Sequence, residues 1–248
     1  HKPTIWIHIP NELNSRKWVS FGSRTSRNLN VPFVNLCIDS IIKNCEKDFN
    51  IVILKDESFK EYIPDWEYDI EKAPIVEKKK LRRLGLLKII YYYGGIIVPP
   101  SFKCEKSLID FNNDTFSFEL DNRSITNSTS TFLPTLDFMG ASKNNPVIHN
   151  LIEKYVSIEN KINNSIGHVL EKNLTVVDGR LIGVKTTDNK SVCIDDYFNE
   201  PNLFELGERY GVLLPLDDLM SKSKYSWFCR MNKEQLGKSD LYISKVLV

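Results

Sequence analysis

Residues 84–101 read LGLLKIIYYYGGIIVPPS, and this stretch decides the fold. Large apolar side chains recur at helical spacing in its first half, which predicts a helix from Val76 to Gly94. A glycine directly after the last periodic residue is typical of a helix that ends in the left-handed αL conformation. Residues 96–98 are apolar and precede two prolines, so we expect a short buried strand that the prolines end.

Segments on either side of this stretch alternate between strand and helix patterns. Residues 11–31 are the exception, because they are polar and lack a period, so we predict a long surface loop there. The other segments are a strand at 5–9, a helix that begins at Pro32, a strand at 49–54, a short helix at 58–62, strands at 116–120 and 138–141, and a helix that begins at Pro146.

The last third of the chain has a different pattern. Residues 176–182 carry an Asp-Gly pair between apolar residues, which predicts a β-hairpin, and residues 187–190 predict a second turn. A final helix is expected from about Ser239. The chain is therefore expected to be an α/β protein. A Rossmann-like mixed sheet flanked by helices would occupy residues 1–160, and a hairpin-rich C-terminal elaboration over residues 161–248 would pack on it as part of one structural unit.

Charge and hydropathy argue against a nucleic-acid partner and against a transmembrane segment. The 248 residues carry a formal net charge of +1, whereas a dedicated nucleic-acid binder has a strong basic bias. The longest apolar run, residues 86–98, is interrupted by Lys88 and is too short to cross a bilayer. We therefore expect no nucleic-acid partner and no transmembrane segment in this chain.

The cysteines indicate a reducing environment. The five cysteines are scattered, without a CxxC pair or the Cys/His spacing of a metal site. Cys37 and Cys45 lie on one predicted helix, too far apart to bridge within it. Reduced, mostly buried thiols are expected, which favours the cytoplasm or a virion over a secretory lumen. Several N-x-S/T sequences would require a secretory route if glycosylated, but chance explains most such matches in a chain rich in Asn and Ser.

The stretch from Leu84 to Ser101 resembles the signature of glycosyltransferases that carry a DxD sugar-binding motif. The resemblance is to the capsular-polysaccharide-synthesis and mannosyltransferase-like groups. In those families a helix runs into Tyr-Gly-Gly, a short apolar strand and then the DxD. Both Tyr-Gly-Gly and the strand are matched here, and the order of elements is matched over residues 3–157. The resemblance implies a GT-A fold with a nucleotide-sugar pocket, for which the candidate residues are His8, Pro10, Lys55, Asp56, Gly94 and Gly95.

The DxD motif itself is replaced. Its three positions fall on Pro99, Pro100 and Ser101, and the family's helix Asp and Arg fall on Arg83 and Leu86. In the family, the DxD carboxylates hold a divalent cation that neutralises the departing diphosphate. Proline has no side-chain ligand atom, and a serine hydroxyl is a poor substitute for a carboxylate. We therefore expect no cofactor and no metal here, and Mn²⁺ or Mg²⁺ only if a substitute site exists.

Three functions are compatible with a chain that keeps the scaffold of the family but lacks the DxD motif. The first is a degenerate transferase-like domain with a binding or structural role. The second is an active glycosyltransferase that uses the substitute carboxylates Glu119, Asp121 and Asp137, or the positive charge of Arg83 and Lys88, although helix position predicts that both basic side chains are exposed. The third is a lectin-like domain that binds a glycan without turning it over.

The composition points to a possible setting for the first function. An abundance of Asn, Lys and Ile resembles AT-rich genomes, including those of large DNA viruses. The partners expected for the chain are accordingly a nucleotide sugar or glycan, or proteins of an assembly such as a capsid.

Overall fold

The structure is a computed structural model, and it describes residues 1–13, 31–121, 131–157, 164–199, 204–221 and 223–248. Over these residues the chain forms two compact units that interleave along the sequence. The first unit comprises His1–His8, Lys47–Pro99 and Leu108–Gly179, and the second comprises Ile9–Glu46, Pro100–Ser107 and Arg180–Val248.

The strands are β1 (Thr4–His8), β2 (Asn50–Leu54), β3 (Gly95–Ile97), β4 (Phe102–Cys104), β5 (Phe116–Asp121), β6 (Phe132–Ala141), β7 (Thr175–Val177) and β8 (Gly211–Leu213). The α-helices are α1 (Pro32–Cys45), α2 (Phe59–Tyr62), α3 (Ile75–Tyr93), α4 (Pro146–Ser157), α5 (Asn164–Asn173), α6 (Leu216–Ser221), α7 (Ser226–Cys229), α8 (Lys233–Lys238) and α9 (Tyr242–Leu247).

A six-stranded mixed sheet forms the centre of the first unit. Its order is β2-β1-β3-β6-β5-β7. Strand β1 pairs in parallel with β2 and β3, β6 pairs antiparallel with β3 and β5, and β7 pairs in parallel with β5. Helix α3 packs on β6 and α4, and α5 packs on β6. The predicted α/β class, with a mixed sheet flanked by helices, is confirmed.

Helix α3 and the glycine that ends it follow the sequence prediction closely. The helix begins after Pro74, and the Gly94 N–H donates to the Ile90 carbonyl at 2.8 Å to close it. The αL prediction for Gly94 is wrong in one dihedral, because φ is +68° but ψ is −178°. That extended ψ directs the chain at once into β3 instead of turning it back, and few residues other than glycine adopt the conformation.

Gly95 is required for a different reason. Its φ is +112°, and a Cβ placed on it would lie 2.2 Å from the Thr4 carbonyl oxygen. Strand β3 lies between β1 and β6 in the sheet, so the backbone cannot move away from that contact without breaking strand pairing. Both glycines of the Tyr-Gly-Gly sequence are therefore explained by the fold alone.

Apolar side chains from the sheet and its helices form one buried cluster in the first unit. Helix α3 contributes Leu87, Ile89 and Ile90 to it, and Trp6 from β1 donates its indole N–H to the Gly94 carbonyl at 2.9 Å. The other members include Leu54, Phe59, Ile63, Ile70, Leu86, Ile97, Leu136, Met139, Ile148, Leu151 and Leu170. Burial on this scale is the main source of stability for the unit.

The second unit pairs β4 with β8 in a two-stranded antiparallel sheet against which α1 packs.

The hairpin predicted at residues 176–182 is wrong. Strand β7 instead pairs in parallel with β5, and Gly179–Ile182 forms a 3₁₀ turn. Gly179 donates its N–H to the Glu119 carboxylate at 3.0 Å, which ends the strand without a partner strand folding back. Among its described residues, the C-terminal third contains the short helices α6–α9, and β8 pairs with the distant β4, so this part is not hairpin-rich.

The remaining predictions of local structure have mixed outcomes. The turn at residues 187–190 is confirmed, because the Thr186 N–H donates to the Lys190 carbonyl at 2.8 Å and Asn189 has φ +61°. Within the predicted loop, Asn11–Leu13 forms a 3₁₀ turn, and residues 14–30 lie outside the described residues. In the described part of the chain, no helix is both long enough and apolar enough to cross a membrane.

Candidate functional site

A buried ionic network lies where β1 and β2 end side by side. His8, the last residue of β1, is paired in register with Leu54, and Asp56 follows two residues later. The His8 Nε2 lies 2.8 Å from the Asp56 Oδ1. Arg82 of α3 donates from Nε and a terminal guanidinium nitrogen to the two oxygens of the same carboxylate, at 2.9 and 2.8 Å. The His8 ring also stacks on Phe59.

The surroundings of Asp56 fix its charge. Burial by itself would raise the pKa of this carboxyl, but hydrogen bonds from His8 and Arg82, together with their positive charge, outweigh burial and hold the pKa well below its ordinary value. The carboxylate side chain is only 4% exposed. A buried carboxylate with a bidentate arginine and an imidazole is a satisfied structural centre, and it presents little oxygen surface to a ligand.

Residues 99–101, at which the resemblance places the DxD, lie where the chain passes from the first unit to the second. One segment of the first unit ends at Pro99, and a segment of the second unit begins at Pro100. Ser101 is 3% exposed, and its hydroxyl donates to the Leu214 carbonyl at 2.9 Å. The Leu214 N–H donates to the Ser101 carbonyl at 3.1 Å, which continues the β4–β8 ladder by one residue.

These contacts decide whether residues 99–101 fit the divalent cation that the resemblance implies. A cation of this kind takes oxygen ligands with free lone pairs, most often carboxylates. The prolines offer no side-chain oxygen, and the Ser101 hydroxyl is buried against a carbonyl to which it donates. The residues do not fit the ion. Among the residues that the structure describes, no group of three or more His, Cys, Asp or Glu side chains is arranged to hold a metal.

Introducing an acidic residue at position 101 is expected to destabilise the protein rather than create a metal site. In Ser101→Asp, the new carboxylate would face the Leu214 carbonyl from a buried position, at an expected cost of about 3 kcal/mol or more in the free energy of unfolding. Urea unfolding followed by far-UV circular dichroism measures this cost. Ser101→Ala is the matched control and should lose only about 1 kcal/mol, because Leu214 still accepts the Leu216 N–H. Equal stability of Ser101→Asp and the wild type would show that this side chain faces open solvent.

The three candidate carboxylates occupy different structural positions. The Glu119 carboxylate accepts the Gly179 N–H and so ends β7. Asp121 is the last residue of β5, opposite Phe132 in the strand pairing. Asp137 on β6 receives two hydrogen bonds from Arg83, at 3.1 and 2.9 Å. Burial raises the pKa of Asp137, but the charge and hydrogen bonds of Arg83 outweigh it and lower the pKa.

The two basic residues of α3 that the sequence marked as candidates both contact other parts of the first unit. Arg83 was expected to be exposed, but its side chain is 17% exposed because it reaches Asp137. Lys88 is half-buried, with its Nζ 5.9 Å from the centre of the Trp66 ring. Sequence reasoning missed Arg82, and the signal that could have found it is a second arginine on the helix that packs over the acidic end of β2.

The structure brings together only part of the predicted nucleotide-sugar pocket. His8 and Asp56 meet, whereas the Lys55 side chain is exposed and its backbone N–H donates to the Ser58 hydroxyl at 2.8 Å. Gly94 and Gly95 have the structural roles described above: Gly94 has a positive φ at the end of α3, and Gly95 lies where β3 approaches β1. Pro10 belongs to the second unit and is half-buried.

A small cleft lies elsewhere in the first unit, beside the N-terminal half of α3. Its volume is about 120 Å³, and its lining is Tyr68, Glu77, Lys80, Leu81, Leu84, Tyr155 and Val156. Pockets that enclose small ligands usually measure roughly 300–1,000 Å³. This cleft is therefore too small for a nucleotide sugar.

Comparison with known proteins adds little to this geometry. No known protein family matches the chain, and no curated protein is significantly similar to it. Among solved structures, the chain is similar to the PaToxG glycosyltransferase, with 16% identity, 69% of each chain covered and a TM-score of 0.38. A similarity at that TM-score supports no conclusion about activity, which has to rest on the contacts of this chain.

Proposed function

We propose that the chain is a glycosyltransferase-like domain that has lost metal-dependent sugar transfer and serves as a binding or structural component. The observation that carries this proposal is the Ser101 side chain. It stands at one of the two acidic positions of the DxD, and its hydroxyl is buried and donates to the Leu214 carbonyl. A domain with this arrangement needs neither Mn²⁺ nor Mg²⁺ for its function.

The contacts of the other charged residues support the same function. An active transferase would need a carboxylate or a basic group that faces the substrate. Arg82 is bound to Asp56, and Arg83 is bound to Asp137, in each case through two hydrogen bonds. Such pairs stabilise the position of α3 on the sheet. An active enzyme that used Arg83 or Asp137 would require their pair to open, whereas one that used Glu119 or Asp121 would not.

The exposed apolar surface of the first unit supports a protein partner. Ile75 and Val76 begin α3 with 86% and 85% of their surface exposed, and Tyr68 and Val156 at the small cleft are 48% and 45% exposed. Ile75 and Val76 are adjacent in sequence, and Tyr68 and Val156 line the same cleft. Exposed apolar side chains of this size are candidates for contact with a partner protein. Together with the composition, this favours a role in an assembly, and a virion is the assembly that the composition indicates.

Turnover of sugar donors tests the proposal. Purified wild-type chain is incubated with UDP- and GDP-sugars, with and without Mn²⁺, and release of UDP or GDP is measured. We expect release no faster than in the protein-free blank under either condition. Sustained Mn²⁺-dependent release that is lost in Glu119→Gln, Asp121→Asn or Asp137→Asn would overturn the proposal and identify the substitute carboxylate.

A further inference from the structure

Two cysteines that are distant in sequence meet inside the second unit. Cys45 is the last residue of α1, and Cys104 is the last residue of β4. Their sulfur atoms lie 3.8 Å apart, and the residues are 0% and 1% exposed. A disulfide requires the sulfurs to approach to about 2.05 Å, so each would move by roughly 0.9 Å.

The backbones that carry the two cysteines are held together independently of the thiols. The Cys104 N–H donates to the Ser40 hydroxyl at 2.8 Å, and the Asn44 side-chain amide donates to the Cys104 carbonyl at 3.1 Å. Ser40 and Asn44 are both on α1, in the two turns that precede Cys45. The last turns of α1 are thus fixed on β4 at two points, and the two sulfurs stay close whenever the unit is folded.

We propose that Cys45 and Cys104 form a structural disulfide when the chain folds in an oxidising environment. With glutathione disulfide as the oxidant, one protein thiolate attacks it, forms a mixed disulfide and releases one glutathione. The second protein thiolate then attacks the protein sulfur of the mixed disulfide and releases the other glutathione. The two protein thiols lose two electrons in total, and their two protons end on the two glutathione thiols.

The same burial makes the reaction a folding event rather than a response of the folded protein. A hydrogen bond with Cys45 and desolvation both raise the pKa of the Cys104 thiol, so little thiolate is present once the unit has folded. The Cys104 thiol also donates to the Lys106 carbonyl at 3.2 Å in the reduced state. We therefore expect the link to form during folding and then to resist added reductant.

Cys37 cannot pair with Cys45 from its position on α1. It lies eight residues before Cys45 on the same helix, and eight residues of helix span about 12 Å. That separation is well beyond the reach of a disulfide between neighbouring side chains. The pairing is thus specified by the packing of α1 on β4, and it does not depend on the proposed function.

Oxidative refolding of the complete chain tests the proposal. Reduced, denatured protein is refolded in a glutathione redox buffer, free thiols are alkylated, and the intact mass and a non-reducing digest are measured. We expect a loss of two hydrogen atoms, alkylation of Cys37, Cys193 and Cys229, and a linked peptide that joins Cys45 to Cys104. Alkylation of all the cysteines, or linked peptides that join other cysteines, would overturn the proposal.

Two controls separate a link directed by the fold from random oxidation. Oxidation in guanidinium chloride, where the chain is unfolded, should give a mixture of pairings instead of one. Cys193→Ala should still form the link between Cys45 and Cys104 during refolding, whereas Cys45→Ala should keep its reduced mass. A single Cys45–Cys104 link in the unfolded chain, or a Cys45→Ala chain that pairs Cys104 with another cysteine as efficiently, would show that the packing of α1 on β4 does not direct it.

Discussion

Gly95→Ala is expected to lower the free energy of unfolding by about 4 kcal/mol, which is a large part of the stability of an ordinary domain. The residue has φ +112°, where an alanine is strained, and the added Cβ would lie 2.2 Å from the Thr4 carbonyl oxygen. The oxygen belongs to β1, whose pairing with β3 would have to break for the contact to be relieved. Urea unfolding followed by tryptophan fluorescence and far-UV circular dichroism measures the change.

Gly237→Ala is the matched control for that substitution. Gly237 lies in α8, and a Cβ added there has no heavy atom within 4 Å. Alanine is a better helix former than glycine, so this variant should be more stable than the wild type by roughly 0.5–1 kcal/mol. If Gly95→Ala were as stable as Gly237→Ala, the explanation of Tyr-Gly-Gly as a requirement of the fold would be wrong, and a role in ligand binding would have to be sought for it.

Asp56→Asn is expected to cost about 3–5 kcal/mol, because it removes the carboxylate but leaves Arg82 buried beside His8. The amide of asparagine can accept only part of the bidentate pair that the Arg82 guanidinium makes at 2.9 and 2.8 Å. Urea unfolding at neutral pH measures the loss. Glu57→Gln is the control, since Glu57 is the next residue in the same 3₁₀ turn and is exposed, and it should change stability by about 0.5 kcal/mol at most.

The pH dependence of the free energy of unfolding is a second test of the network around Asp56. The folded state lowers the pKa of Asp56, so the stability contributed by this carboxylate is fully present above its unfolded pKa of about 4. It is lost as the pH falls from there through the folded pKa. The wild type should therefore lose stability below about pH 4 more steeply than Asp56→Asn does. Parallel curves for the two proteins would show that Asp56 is not ionised in the folded state.

Elements of the fold were predictable where neighbouring residues in the sequence specify them. Helix α3, the stop at Gly94 and strand β3 follow from the spacing of apolar residues and two glycines, and each is present within one or two residues of its predicted bounds. The hairpin at residues 176–182 failed because an Asp-Gly pair specifies only a turn. Whether the next segment folds back depends on which strand is available to pair with it. Strand β7 pairs in parallel with β5, which lies some sixty residues earlier in the sequence.

The candidate site was less predictable, since its contacts join residues that are remote in sequence. The order of strands placed His8 and Asp56 at one edge of the sheet. The two adjacent arginines of α3 do not by themselves show that Arg82 binds Asp56 and Arg83 binds Asp137. The sequence itself shows that Pro99 and Ser101 stand at the two positions where the resemblance expects acidic residues. The direction of the Ser101 hydroxyl, towards Leu214, depends on a pairing of β4 with β8 that only the three-dimensional structure provides.

The most direct test of the central claim, the loss of a metal-dependent sugar-donor site, is a calorimetric titration of the purified wild-type chain. The ligands are UDP, GDP and their common sugars, each titrated with and without Mn²⁺. Our account predicts that Mn²⁺ produces no binding that is absent without it, because residues 99–101 supply no metal ligand. Micromolar binding that appears only with Mn²⁺ would contradict the account and would mean that the chain holds the ion at another site.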